Sequence, residues 1–284
     1  MNHLRRSNLA LIADIKKQYR ALQSKKGKYL SLFGEKRSVP VLSNSGHCST
    51  CVQEVTFVAQ DAWLRDHYLC SNCGSIPRER ALMLTIEAYF PNWRSLTIHE
   101  SSPGNRGASK RLSRECADYV PSQFFPDQKP GSIVNEFRCE SLESLTFADD
   151  SIDLHVTQDV LEHVFHPSKV FREIARTLKP GGAHIFTVPL VNKNKPSKPR
   201  AQLSDDGQIS HLEPPVYHGN PISDAGSLVT VDWGFDICRH IFQSSGLFTH
   251  LVHIDDLSKG IRAEYIEVLV TSKPDKGSTQ NAIP

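Results

Sequence analysis

The chain has 284 residues, of which 39% are hydrophobic and 23% are charged. This length and composition favour a soluble globular protein with one sizeable core and a small appendage. No apolar run is long enough for a membrane-spanning helix, and the N-terminus lacks the apolar stretch of a signal peptide. We therefore expect a cytoplasmic protein without a membrane span.

The net charge of +2 is unevenly distributed along the chain. Residues 1–40 contain ten Lys and Arg against Asp14 and Glu35, so the remainder is acidic overall. Apolar residues from Leu11 to Leu22 recur at helical spacing, which predicts an amphipathic helix over about residues 4–24. We interpret residues 1–46 as a basic helical arm and linker. Such an arm is either a solvated extension or a contact surface for nucleic acid, anionic lipid or an acidic partner.

Four of the seven cysteines form two closely spaced pairs, Cys48 with Cys51 and Cys70 with Cys73. Two Cys-x2-Cys pairs about twenty residues apart are typical of a closed, all-thiolate zinc site. A glycine follows the last cysteine and suits the tight turn of a zinc knuckle. We predict a zinc-ribbon-like module over residues 47–80 that holds structural zinc. Buried free thiols and redox-active pairs are the alternatives.

Beyond residue 80 the sequence alternates between helical and strand-like patterns. The predicted helices cover 81–89, 108–116, a segment from Pro167 that ends at Lys179–Gly182, and 235–244. The predicted strands cover 95–99, 117–121, 151–157, 183–188 and 265–271. Such alternation implies a mostly parallel sheet with helices on both faces and a ligand site beyond the carboxyl ends of the strands. We assign residues 81–273 to this α/β domain, with a Pro-, Lys- and His-rich insert at 190–231. Residues 274–284 are predicted to be a flexible tail.

The first motif of this domain lies between the strand 95–99 and the helix that follows it. The intervening loop contains Glu100, Gly104 and Gly107, with Ser102 where a glycine is expected. Small residues there allow a cofactor to lie against the backbone, and the start of the helix offers free amide groups.

Three further runs follow in order: Phe147-Ala-Asp-Asp-Ser-Ile-Asp153, Gln158-Asp-Val-Leu-Glu-His-Val164 and Arg172-Glu-Ile-Ala-Arg-Thr-Leu-Lys-Pro-Gly-Gly182. Together with the glycine-containing loop they resemble the class I S-adenosylmethionine-dependent methyltransferases, specifically the small-molecule branch. The resemblance covers about residues 96–189. It implies a Rossmann-like, seven-stranded, mostly parallel sheet and S-adenosylmethionine as the cofactor.

The resemblance also implies which residues bind the donor. Those positions are Glu100, Ser102, Gly104, Gly107, Ser122, Gln123, Ser141, Leu142, Thr157 and Gln158. The ribose and adenine contacts depart from the family pattern. Ser122 and Gln123 stand where an acid usually contacts the ribose, and Ser141 stands where an aspartate often contacts the adenine, with Glu140 beside it as a substitute.

Candidate catalytic residues come from the run after residue 158 and from the insert. His163 is the candidate base, with Asp159, His211 and His218 as further candidates, because a histidine titrates near neutral pH. A structural role for His163 is the alternative. On one helical turn Asp159, Glu162 and His163 would converge and, with a histidine of the insert, would hold Mg²⁺, Mn²⁺ or Zn²⁺.

These motifs favour O-methylation of a small molecule such as a saccharide or a polysaccharide precursor. The two cysteine pairs, the methyltransferase-like core and the run from His211 to Pro221 together resemble bacterial methyltransferases associated with surface polysaccharide pathways. A second hypothesis is an RNA methyltransferase that binds RNA through the cysteine module and the basic arm. The motif of the Asn-Pro-Pro-Tyr type, which is used to methylate base amines, is absent at residues 158–160. Its absence weakens the RNA methyltransferase hypothesis. The third hypothesis is a non-catalytic binding protein on a degenerate fold.

Overall fold

The computed structural model describes residues 39–204, 206–220 and 223–275. The helix predicted over residues 4–24 and residues 276–284 of the predicted tail lie outside these described residues. Within the described ranges, no helix is both long and apolar enough to cross a membrane.

The described residues form five α-helices and seventeen strands. The helices are α1 (Leu64–His67), α2 (Pro77–Tyr89), α3 (Gly107–Glu115), α4 (Pro167–Thr177) and α5 (Ile237–Ser245). The strands are β1 (Leu42–Cys48), β2 (Gln53–Ala59), β3 (Tyr68–Cys70), β4 (Thr97–Ser101), β5 (Asp118–Gln123), β6 (Ile133–Val134), β7 (Phe137–Cys139), β8 (Ile152–Gln158), β9 (Leu178–Thr187), β10 (Lys198–Pro199), β11 (Ala201–Leu203), β12 (Ile209–His211), β13 (Tyr217–Asn220), β14 (Ser223–Leu228), β15 (Val231–Asp232), β16 (Phe248–Val252) and β17 (Val268–Ser272).

Eight strands form one mixed sheet in the order β16-β17-β9-β8-β4-β5-β7-β6. The five strands from β9 to β7 in this order run parallel to one another, whereas β16, β17 and β6 are antiparallel to their neighbours. The predicted α/β fold is thus confirmed. The sheet has eight strands rather than seven because the two-residue β6 folds back on β7.

Apolar side chains cover both faces of this sheet. On one face, α2 and α3 contribute residues such as Leu82 and Leu112 to a core that includes Leu154 of β8. On the other face, α4 and α5 contribute residues such as Phe171 and Ile241 to a second core. Strand β8 alternates apolar with polar residues, and its His155 and Thr157 are buried along with its apolar side chains.

The boundaries of most α/β elements fall within a few residues of their predicted positions. Helix α4 begins at Pro167, because proline suits the first helical position, where the missing N–H costs nothing. Strand β9 begins at Leu178 rather than at residue 183, because Leu178 already pairs with Ile152 before an irregularity in the ladder. The Lys179–Gly182 stretch therefore ends the helix, as predicted, and belongs to the following strand.

The insert at 190–231 is not the structureless loop that its composition indicates. It contains short antiparallel pairings, namely β10 with β15, β11 with β12, and β13 with β14. Strands of two to six residues with exposed polar side chains lack the apolar alternation that identifies a strand in a sequence.

The cysteine module consists of a three-stranded antiparallel sheet, β1-β2-β3, with Phe57 and Tyr68 in its small core. Arg80 of α2 lies directly behind this sheet and is fully buried. Its guanidinium donates hydrogen bonds to the carbonyl of Tyr68 at 2.8 Å and to the carbonyl of Gly260 at 2.6 Å. One cation therefore ties the module to the α/β domain.

Candidate functional site

The candidate site lies where β4 and β8 end, side by side. These strands are parallel neighbours, and Ser101 of β4 pairs with Thr157 of β8. The loops that follow both strands consequently meet at one edge of the sheet. A cavity of about 1070 Å³ opens there, and residues of the cysteine module and of the insert form its outer walls.

The structure brings six of the ten predicted donor-binding residues to this cavity. They are Ser102, Gly104, Gln123, Ser141, Leu142 and Gln158. The other four, Glu100, Gly107, Ser122 and Thr157, do not line it. Ser122 and Thr157 are buried against histidines of the sheet, because the Ser122 hydroxyl lies 2.7 Å from His99 Nε2 and the Thr157 hydroxyl 3.0 Å from His184 Nε2.

Glu100 is fully buried beneath the wall of the cavity. Its carboxylate accepts hydrogen bonds from Ser109 Oγ at 2.6 Å, Tyr119 Oη at 2.7 Å and Gln158 Nε2 at 2.8 Å. Burial raises the pKa of Glu100, and these donors partly offset the rise. Glu100 therefore organises the loop and orients Gln158, which itself faces the cavity.

The loop after β4 has the backbone that its residues indicate. Ser102, at the position where a glycine is expected, has a left-handed φ of 54°, and its hydroxyl donates to Gln123 Oε1 at 3.1 Å. Gly107 has a φ of 56°, and a Cβ on it would lie 2.2 Å from a carboxylate oxygen of Glu79. Only glycine fits that position. By contrast, a Cβ built on Gly104 would make only an ordinary van der Waals contact, with Ser109 Oγ at 3.8 Å.

Glu140, which the sequence offers as a substitute for an adenine-binding aspartate, is held by neighbouring protein groups. One carboxylate oxygen accepts from Arg138 Nε at 2.6 Å, and the other accepts from the Thr146 amide at 2.8 Å. The side chain of Ser141 remains on the cavity wall beside it. These contacts do not favour Glu140 as the adenine ligand.

Asp159 does not join Glu162 and His163 on a helical turn, so that expectation is wrong. Residues 159–163 form a turn, and Asp159 has a left-handed φ of 53°. Its Oδ2 lies 2.7 Å from Arg65 Nη2 and 2.9 Å from Arg78 Nε. Burial acts to raise its pKa, but Arg78 and Arg65 outweigh that effect and lower the pKa of Asp159 to about 2. Asp159 is thus an ion-pair partner, not a base near neutral pH.

A second cluster joins Glu162 and His163 to His218 of the insert, one of the two candidate histidines there. Glu162 Oε1 lies 3.8 Å from His163 Nε2 and 3.6 Å from His218 Nδ1, and the three ligand atoms lie within 4.8 Å of one another. The other candidate, His211, is exposed on β12 and does not line the cavity.

The carboxylate of Glu162 is unusual in this cluster. The residue is 1% exposed, and neither carboxylate oxygen has a hydrogen-bond partner among the described residues. A buried carboxylate without a hydrogen bond is costly, so the site favours a cation. The carboxylate raises the pKa of His218, while His163 Nδ1 lies 2.8 Å from the Leu228 carbonyl and donates to it. His163 Nε2 is therefore left for a proton or a metal ion.

The four cysteines of the module also converge. The Sγ–Sγ distances are 3.8 Å for Cys48 and Cys73 and 3.9 Å for Cys51 and Cys70, and all four sulfurs lie within 4.8 Å of one another. Zinc bound tetrahedrally at about 2.3 Å from each sulfur would separate the sulfurs by about 3.8 Å. Hydrogen bonds from Cys70 and Cys73 lower the pKa of Cys48. This group of thiols fits a zinc ion.

Sequence reasoning missed Arg65, Arg78 and Trp63, all of which line the cavity. Arg65 and its partner Asp159 lie 94 positions apart in the chain. No local spacing signals such a contact, because it arises only when the module docks on the sheet.

Parts of the chain are similar to known methyltransferases. Residues 111–186 match the family model described as a methyltransferase domain. A curated dimethylglycine N-methyltransferase of Parasynechococcus marenigrum (strain WH8102) is 44% identical over 50 residues, which span 18% of this chain and 18% of that protein. Solved S-adenosylmethionine-dependent methyltransferases of Mesorhizobium loti and Methanosarcina mazei share 17% and 16% identity, with TM-scores of 0.44 and 0.40. Each alignment covers 68% of this chain, and they cover 97% and 98% of those chains, respectively.

Proposed function

We propose that the α/β domain of this chain is a class I S-adenosylmethionine-dependent methyltransferase domain and that it transfers the donor's methyl group to a hydroxyl group of a small molecule. The observation that carries the proposal is the cavity of about 1070 Å³ at the ends of β4 and β8. Six predicted donor residues line it, and His163 and His218 line it as well. A pocket of this volume accommodates a nucleoside donor together with a small acceptor.

The reaction is an in-line displacement. The acceptor oxygen forms a bond to the methyl carbon as the bond from that carbon to sulfur breaks, and the proton of the acceptor must leave at some stage. His163 can accept that proton at Nε2, since its Nδ1 donates to the Leu228 carbonyl. Glu162 beside it would stabilise the resulting imidazolium. The products are the methyl ether and S-adenosylhomocysteine.

As the alternative to His163 acting as the base, the same cluster fits a divalent cation, with Glu162, His163 and His218 as its ligands in place of the set that included Asp159. His163 Nε2 would then bind the ion and accept no proton. One carboxylate and two imidazoles suit Mn²⁺ or Zn²⁺ better than Mg²⁺, which prefers oxygen ligands. A cation there would lower the pKa of an acceptor hydroxyl. It would also pair the carboxylate of Glu162, which has no hydrogen-bond partner among the described residues.

For the acceptor, we propose a saccharide or a polysaccharide precursor. Trp63 and Tyr265 line the outer part of the cavity, with ring centroids 6.2 Å apart. Lys193 Nζ lies 5.0 Å from the centroid of the Tyr265 ring. Aromatic faces beside polar and cationic groups suit a ligand with apolar C–H faces, hydroxyl groups and a phosphate.

Calorimetry with S-adenosylmethionine tests the donor site. Gly104→Ala adds only a methyl group at van der Waals distance from Ser109 Oγ, so this control should bind as the wild type does. Gly104→Arg should fill the cavity and abolish binding. Undiminished binding by Gly104→Arg would contradict the proposed donor pocket.

The acceptor is tested with donor that carries a radiolabelled methyl group, supplied separately with saccharide extracts and with RNA. Label in the saccharide fraction is the expected result, and it should disappear with Gly104→Arg. Label in RNA alone would replace the saccharide proposal with the RNA hypothesis.

A further inference from the structure

We propose that the four-cysteine module is a working part of the catalytic cavity, in which a metal ion bound by the cysteines holds Arg65, and Arg65 positions the end of β8. This inference rests on the proposed function, because it concerns the same cavity. It makes Arg65 a positioning residue rather than a catalytic one.

The path of the chain places the cavity wall between the two cysteine pairs. After Cys51 the chain forms β2, then passes Trp63 and α1, and returns through β3 to Cys70. Trp63 and Arg65 both line the cavity. Helix α1 has four residues and no side-chain cap, and a helix this short does not persist alone. Ligation of Cys70 and Cys73 therefore helps to fix the segment that carries Arg65.

A chain of charged groups links this segment to the end of β8. Arg65 and Arg78 share Asp159 as a partner. Arg78 also donates to Asp66 at 2.8 Å, and Asp66 accepts from Trp63 Nε1 at 2.8 Å. The side chains of Arg65 and Asp159 are only 9% and 15% exposed, so solvent screens their ion pair little.

Asp159 needs such ties, because its φ of 53° is unfavourable for a residue with a Cβ. Two further contacts hold it to β9, since Thr187 Oγ1 donates to its Oδ1 at 3.0 Å and its amide donates to the Thr187 carbonyl at 2.9 Å. Gln158 of the donor wall precedes Asp159, and the turn with Glu162 and His163 follows it. A change at Arg65 is thus transmitted both to the donor wall at Gln158 and to the turn that carries Glu162 and His163.

The module is docked firmly enough to act in this way. Asn44 Nδ2 of β1 donates to the Leu257 carbonyl of the α/β domain at 2.6 Å. Arg80 contacts carbonyls on both sides of the junction, and Arg65 Nε donates to the Tyr265 carbonyl at 3.1 Å. These contacts join the module to the loops between α5 and β17.

Hydrogen–deuterium exchange on the full chain, loaded with zinc, tests this inference. Arg65→Ala should raise exchange at residues 159–164 on the order of tenfold, while the amides of β4 stay protected. Cys70→Ser with Cys73→Ser should raise exchange at the same residues, and Arg65→Lys should restore part of the protection. Arg94→Ala is the matched control, since Arg94 is 47% exposed and pairs with Glu115 away from the cavity.

Normal exchange at residues 159–164 in Arg65→Ala would overturn the inference. The inference would also be overturned if replacing the cysteines raised hydrogen–deuterium exchange only in β1, β2 and β3. If the double serine variant fails to fold, Arg65→Ala and zinc removal from the wild type by a chelator decide the question. Calorimetry with S-adenosylhomocysteine separates the two proposals. Absent binding by the wild type would count against the proposed function, whereas normal binding with unchanged exchange would count against this inference alone.

Discussion

Three histidines lie fully or almost fully buried within the central sheet, and they should make the fold sensitive to acid. His99 Nδ1 lies 2.8 Å from His155 Nδ1, and His155 Nε2 lies 2.8 Å from the Thr177 hydroxyl. Burial lowers the pKa of His99 and of His184 to about 3. Burial also lowers the pKa of His155 well below its ordinary value.

The sign of the effect follows from proton uptake. Above pH 6.5 these histidines are neutral in both the folded and the unfolded chain, so they add no pH dependence. Below pH 6.5 the unfolded chain binds protons at these histidines, whereas the folded chain does not. The free energy of unfolding therefore decreases as the pH is lowered. For an unfolded pKa of about 6.5, each histidine costs about 2 kcal/mol between pH 8 and pH 5, if the folded pKa stays below about 4. His99 and His184 together therefore cost about 4 kcal/mol.

Urea unfolding at pH 8 and pH 5 measures this difference. His184→Gln should reduce the loss of stability between the two pH values by about 2 kcal/mol relative to the wild type. His240→Gln is the control, because His240 is 46% exposed on α5. Comparing variants cancels other titrations, including that of Glu100, whose raised pKa acts in the opposite direction. Equal losses in His184→Gln and the wild type would refute the reasoning.

Further predictions concern the metal sites and one helix end. Cys48→Ser with Cys51→Ser should remove about one zinc per chain in elemental analysis, and retained zinc would contradict the four-thiolate site. Glu162→Gln should abolish a Mn²⁺ site in calorimetry while His211→Gln preserves it; equal binding in both variants would place the ion elsewhere. Gly246→Ala should lower the free energy of unfolding by about 1 kcal/mol, since Gly246 ends α5 with a φ of 74°. Unchanged urea unfolding would contradict that last estimate.

The sequence was sufficient to predict the α/β fold because its signals are local. Strand β8 alternates Ile, Leu and Val with Asp, His and Thr, and Pro167 marks the start of a helix. The cysteine site could be predicted for the same reason, because the short spacing within each pair indicates a shared site. Each of these features depends on residues that are neighbours in the chain, so no knowledge of the tertiary arrangement is needed.

The candidate site was predicted less completely, since its polar contacts are distant in sequence. His211 and His218 have the same residue type and the same polar surroundings, so composition cannot choose between them. The fold makes the choice, because His218 of β13 lies beside Glu162 and lines the cavity, whereas His211 does not line it. The role of Asp159 was obscured in the same way, as Arg65 reaches it only through the docked module.

The two acids after β8 thus have opposite environments, and this difference determines what each can do. Asp159 shares two guanidinium groups and a hydroxyl donor, so its negative charge is already neutralised by the protein. Glu162, three residues later, is more deeply buried and has no hydrogen-bond partner among the described residues. An imidazolium or a metal ion would balance the charge of Glu162. Either would place positive charge beside a bound hydroxyl group, which is what the proposed methyl transfer to oxygen needs.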